Sequence, residues 1–133
     1  SVSLPKYASK GDAGFDLLAS KDTVVNPGEL ISIPTGLMME IPSGYVGLIW
    51  DKGGLSHKHG LKTFGGVVDS GYRGEVLVGI KNFSDKPYTF EKNHKVAQML
   101  IQKYEDVEIV EINEKEHLAD SERKDGKFGS TGK

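Results

Sequence analysis

The stretch Gly66-Val67-Val68-Asp69-Ser70-Gly71-Tyr72-Arg73-Gly74-Glu75 decides how this chain is read. Val67 and Val68 read as a short buried strand. Asp69-Ser70-Gly71 reads as a turn, because Asp bonds neighbouring backbone and Gly accepts positive φ. Residues 75–82 read as a second strand, with Val76, Val78 and Ile80 on one face. The expectation is a β-hairpin with a carboxylate and a tyrosine at its tip. Two strands would hold such a tip still, which suits a general base or a pocket wall.

Outward from that hairpin, short β-rich runs recur at residues 15–18, 24–25, 30–33, 37–41, 45–50, 88–90, 96–103 and 107–112. Turn signals separate them, among them Asn26-Pro27-Gly28, Pro42-Ser43-Gly44 and Ser84-Asp85-Lys86-Pro87. Many short strands at this spacing predict an all-β protein, a sandwich or barrel. The apolar residues of 107–112 fall on both sides of the run, which predicts a strand covered on both faces. Residues 54–59 predict a single helical turn, stopped by Gly60 in the left-handed conformation. Residues 113–133 are polar and glycine-rich and cannot bury enough apolar surface to fold alone. The chain is therefore read as a β domain over 1–112 and a flexible C-terminal arm over 113–133.

A chain of 133 residues with 37% hydrophobic and 27% charged residues has the composition of one globular domain with a real core. No apolar run approaches a membrane span, and no segment resembles a signal peptide. There are no cysteines, so thiolate metal sites and disulfides are excluded. The expected setting is cytoplasmic, with a nuclear or viral one equally compatible. A formal charge of −2 argues against nucleic acid as a partner. The 17 glycines are scattered, which suggests turns and backbone that approaches a ligand closely.

Two segments carry anion chemistry. Gly53-Gly54 precedes the helical turn, whose first N–H groups lack internal partners, and Lys52 adds positive charge. The tail combines Arg123, Phe128, Ser130, Thr131 and Gly132. Glycine-rich turns form N–H nests for anions, hydroxyls add donors, and a guanidinium matches phosphate oxygens. Each segment also reads as an ordinary surface turn. His57 and His59 lack a third ligand in sequence reach, and no motif supports a Ser/His/Asp triad.

Five segments, in order, resemble the five motifs of the trimeric dUTPase family. They are Asp12-Ala13-Gly14-Phe15-Asp16-Leu17, Asp51-Lys52-Gly53-Gly54-Leu55-Ser56, residues 66–75, Lys95-Val96-Ala97-Gln98-Met99, and the tail from Arg123 to Gly132. The resemblance implies a jelly-roll-like fold and a homotrimer with three sites, each built from all three subunits. It implies hydrolysis of dUTP to dUMP and pyrophosphate with Mg²⁺. That reaction limits uracil in DNA and supplies dUMP for dTMP synthesis.

By resemblance, Asp69 is the base that activates water against the α-phosphorus, and Tyr72 lies under the deoxyribose. The backbone from Thr63 through Gly66 to Val68 reads uracil, and Phe128 stacks on it. Lys52, Gly53, Gly54, Arg123, Ser130, Thr131 and Gly132 hold phosphates. Gln98 positions phosphate or water, and Asp16 reaches a water of the Mg²⁺ shell. The second motif departs from the family's usual Arg-Ser, having Lys52-Gly53. Two alternatives follow, a dCTP deaminase-like enzyme of the same superfamily and a slow or inactive nucleotide-binding relative.

Overall fold

The computed structural model describes residues 2–132, so Ser1 and Lys133, the outer ends of the two expected units, lie outside the described residues. Among the described residues, nine strands form three antiparallel sheets. The first, in the order β1-β9-β4-β6, comprises β1 (Phe15–Leu18), β9 (Lys95–Lys103), β4 (Tyr45–Trp50) and β6 (Val67–Val68). The second comprises β3 (Leu30–Pro34), β7 (Leu77–Asn82) and β5 (Leu61–Phe64), in the order β3-β7-β5. A third pairs β2 (Thr23–Val25) with β8 (Tyr88–Phe90). One core lies among them, with Leu17, Ile33, Val78, Phe90 and Met99 fully buried. This is the all-β architecture that the strand pattern predicts, and the jelly-roll-like fold that the resemblance implies.

Alternation explains which faces close. Val76, Val78 and Ile80 all point into the core, as their spacing requires. Asn82 continues that face, and it too is fully buried. Its amide donates to the Val25 and Lys86 carbonyls, while its Oδ1 accepts from Ser84, so a polar group in the core is satisfied.

The expected hairpin is not one. β6 pairs with β4, in the first sheet, and β7 pairs with β3 and β5, in the second. The chain enters β6 through Gly65-Gly66, both at positive φ, and leaves it through the Asp69 turn. Turn residues tell where the chain reverses but not which strand it then meets. Burial chooses that partner.

Three further differences share this cause. Residues 61–64 form a strand, β5, that the sequence reading did not single out. Residues 37–41 are not a strand, although Leu37 and Ile41 are buried and the Leu37 carbonyl accepts from Val76 N–H at 2.8 Å. Residues 107–112 form no strand either, and Val107, Ile109 and Val110 are exposed. The one α-helix among the described residues, α1 (Gly53–His59), ends at Gly60 with φ of 65°, as expected.

Candidate functional site

Sheet register positions the first group of residues. β9 sets Gln98 opposite Asp16 of β1 and opposite Trp50 of β4. The Gln98 side chain lies flat against Gly14, where an added Cβ would meet its Oε1 at 2.7 Å. Its Nε2 donates to the Asp51 carbonyl at 2.9 Å. Asp16 is nearly buried, and each of its oxygens takes an ammonium: Lys52 at 2.7 Å and Lys95 at 2.9 Å. Burial pushes the Asp16 carboxyl up, but hydrogen bonds from Lys52 and Lys95 outweigh it and hold the group below the usual range. Lys52, Lys95 and Lys58 line a cavity of about 350 Å³ with Gly54, Leu55 and His59. Gly53, just outside that lining, has open space where a Cβ would stand.

The second group lies around the Asp69 turn. Gly66, Val68, Asp69 and Tyr72 line a cavity of about 210 Å³ together with Ile49 and Glu75. Gly66 has φ of 109°, and a Cβ there would stand 2.9 Å from the Ile49 carbonyl oxygen, so only glycine fits. The Tyr72 hydroxyl donates to the Glu75 carbonyl at 2.8 Å, folding its ring over Gly74. Gly36 N–H donates to Glu75 Oε1 at 2.8 Å, which anchors the far side of the turn. Asp69 is exposed, and its carboxylate has no hydrogen-bond or ion-pair partner among the described residues. A carboxylate so placed is open to water and to substrate.

Thr63 lies on β5 beside a neighbouring hollow. Its N–H and its hydroxyl both donate to Asp51 Oδ1, at 2.7 and 2.8 Å. The tail forms the third group. Arg123 closes its own loop, donating from Nε to the Gly126 carbonyl at 2.9 Å. Further turns follow, with Gly129 and Gly132 at positive φ and Ser130 and Thr131 exposed. Phe128 is fully exposed and packs on none of the described residues.

The structure thus gathers Asp16, Lys52, Gly54 and Gln98 in one place and Gly66, Val68, Asp69 and Tyr72 in another, with the tail apart from both. The lysine cavity, the Asp69–Tyr72 cavity and the hollow formed by the arm have no lining residue in common. Sequence reasoning missed Lys95 as a member of the charged cluster, and it missed Asp51 altogether. Both lie inside quoted motifs, but the contacts they make cross the sheet and leave no local signal.

The fit of a metal can be tested on these residues. No three His, Cys, Asp or Glu side chains gather as a cage among the described residues. Asp16 has both oxygens on lysines. Among the described residues of one chain there is thus no cage of side chains for a magnesium ion.

A β-sandwich with an open carboxylate and a tyrosine over a backbone-walled cavity, and with lysines gathered in a second, has walls and charge that suit a ring-bearing anionic ligand. The comparisons sharpen that class. A family model described as dUTPase matches residues 1–132. The chain belongs to the dUTPase family. The deoxyuridine 5'-triphosphate nucleotidohydrolase of Finegoldia magna is 41% identical, over 97% of this chain and 91% of that one. That of Nautilia profundicola is 42% identical, over 98% and 91%. Among solved structures, the dUTPase of Staphylococcus bacteriophage 80alpha with dUpNHpp superposes with a TM-score of 0.90 at 30% identity, covering 98% of this chain and 92% of that one. A dUTPase variant from phage phi11 of S. aureus, whose structure reveals the coordination of a structural Mg(II) ion, has a TM-score of 0.78 at 28% identity, over 86% and 92%.

Proposed function

We propose that the protein hydrolyses dUTP to dUMP and pyrophosphate, and that its active sites are completed by assembly into a homotrimer. The observation that carries this reading is the Asp69–Tyr72 cavity: an unpaired carboxylate, a pinned tyrosine and a glycine-walled backbone on one rim. Relatives named for this activity share about two fifths of the sequence over nearly its whole length.

In this reading Asp69 accepts a proton from the attacking water, which displaces pyrophosphate from the α-phosphorus in line. Tyr72, held by the Glu75 carbonyl, presents its ring to the deoxyribose and leaves no room for a 2′-hydroxyl. Backbone from Thr63 to Val68 faces the base. Gln98, fixed by the Asp51 carbonyl, positions phosphate. Lys52, Gly53 and Gly54 lie on the phosphate side. The arm, residues 113–133, brings Arg123, Ser130, Thr131 and Gly132 to the outer phosphates and stacks Phe128 on uracil. Mg²⁺ would be held by the oxygens of the triphosphate rather than by a cage of side chains, and would supply charge neutralisation there.

Assembly follows from separation. One chain does not join its three groups, and its Phe128 has no home. Beside Asp69 an apolar hollow of about 500 Å³, lined by Tyr45, Val46, Leu48, Val67 and Tyr104, is left uncovered. A second copy of the chain has the chemistry to cover it.

One observation supports a second reading, a slow nucleotide-binding relative. Gly53 has no hydroxyl to give, and the Lys52 ammonium is drawn onto Asp16. Losing a donor to developing charge costs about 10²–10³ in rate when nothing replaces it. The test is pyrophosphate release from dUTP, dCTP, dTTP and UTP with Mg²⁺, beside a Gly53→Ser variant. Fast, dUTP-selective release by the unaltered chain is expected. Silence that Gly53→Ser relieves would establish the slow relative. Conversion of dCTP in preference to dUTP would overturn both readings.

A further inference from the structure

We propose that Asp51 fixes the Thr63 hydroxyl as an acceptor-only group facing the base hollow, and that this polarity selects uracil against cytosine. The inference rests on the reading that the hollow takes a pyrimidine.

Asp51 stands just past the end of β4, and Thr63 stands on β5. Asp51 Oδ1 receives two donors from Thr63, the N–H at 2.7 Å and the hydroxyl at 2.8 Å. Asp51 Oδ2 receives the Lys62 ammonium at 2.8 Å. Burial pushes this carboxyl up, but the bonds from Lys62 and Thr63 outweigh it and hold it below the usual range. It is ionised at neutral pH, and an ionised carboxylate only accepts. A hydroxyl has one proton to give, and Thr63 gives it to Asp51. What Thr63 Oγ1 retains is lone pairs.

Thr63 lines a hollow of about 200 Å³ with Ile49, Trp50, Lys62, Gly65, Gly66 and Val67, and the Lys62 ammonium there is already turned onto Asp51 Oδ2. Ile49, Gly66 and Val67 also line the Asp69–Tyr72 cavity, so the two hollows share a wall. A ring seated there meets an oxygen that can accept but not donate. Uracil carries an N–H at ring position 3. Cytosine carries a bare nitrogen lone pair at that position. The first satisfies the Thr63 oxygen, and the second sets lone pair against lone pair. Thymine shares uracil's N–H, so this contact does not separate those two, and the walls must exclude the thymine methyl.

The experiment measures affinity by calorimetry for dUpNHpp and its cytosine and thymine counterparts, on the full chain with Mg²⁺, beside pyrophosphate release from dUTP. Thr63→Val removes the hydroxyl at nearly constant shape. Asp51→Ala frees the hydroxyl to donate. Each is expected to lower the uracil-over-cytosine affinity ratio about tenfold or more, as loss of one directional hydrogen bond does. The uracil-over-thymine ratio should move much less. Asp51→Asn should preserve the cytosine ratio, because its Oδ1 still accepts from both Thr63 donors. Unchanged cytosine ratios in Thr63→Val and Asp51→Ala, with dUTP hydrolysis intact, would overturn the polarity assignment alone. So would equal falls in both ratios, which signal a loosened pocket. A chain that binds none of the three and releases no pyrophosphate would sink the functional reading and this inference with it.

Discussion

At the scale of single residues, the charged positions carry the decisions. Asp16 holds two lysines from different elements, one before α1 and one opening β9, and so draws the lysine cluster together. Its folded carboxyl lies below the ordinary aspartate value of about 4. A depressed value means the folded state favours the charged form. The contribution is therefore complete above about pH 4 and is lost as pH falls through the folded value. Asp16→Asn should cost about 1–3 kcal/mol at pH 7, with Lys95 supplying the smaller part because it is half exposed. Denaturant unfolding from pH 7 down to pH 2 checks this: the gap between the two chains should close at the acid end. A gap that stays constant would mean that packing, not charge, is what Asp16 supplies. Little of this was legible beforehand. Asp16, Lys52 and Gln98 could be singled out from motifs, but Lys95 and Asp51 act across strands, and register is not written in any one segment.

At the scale of elements, alternation was readable and pairing was not. Val76, Val78 and Ile80 announce a one-sided strand, and β7 is one. Val67-Val68 announces a strand but not its partner, and two residues carry too little pattern to specify register. β5 escaped because Leu61-Lys62-Thr63-Phe64 is short and set between glycines. Residues 107–112 are the instructive failure. Their pattern of Val and Ile on both sides calls for cover on both faces, and their own chain supplies none. In the assembled protein these residues should become a strand against a neighbour. Amide exchange should show them protected at concentrations where the trimer persists and open on dilution. Gly126–Gly132 backbone should instead gain protection only with dUpNHpp. Equal protection of the tail with and without nucleotide would remove it from the binding role.

At the scale of the whole molecule, the parts proposed for one reaction lie apart in one chain, and the prediction concerns mixtures. Asp69→Asn should abolish turnover while leaving nucleotide affinity nearly unchanged, since in the proposed role the carboxylate acts on water and not on binding. A chain truncated after residue 112 should also be inactive, lacking Arg123 and Phe128. Unfolded together and refolded, the two should recover measurable pyrophosphate release, each supplying what the other lacks. No recovery in mixed trimers confirmed by mass would mean that base and arm come from the same subunit.

The separation of these cavities reaches beyond the test tube. Where two defective alleles of such a gene are present in one cell, the phenotype depends on which group each allele has lost. With sites shared between subunits as proposed, two alleles damaged in the same group would stay silent together, while alleles damaged in different groups would rescue one another. An allele that assembles but lacks Asp69 alone would spoil one site per copy and leave its normal partner's sites working, whereas one that has lost two groups would spoil sites its partner helps to build. Dominance, recessiveness and rescue would then follow from which of three patches on one chain a mutation happens to strike.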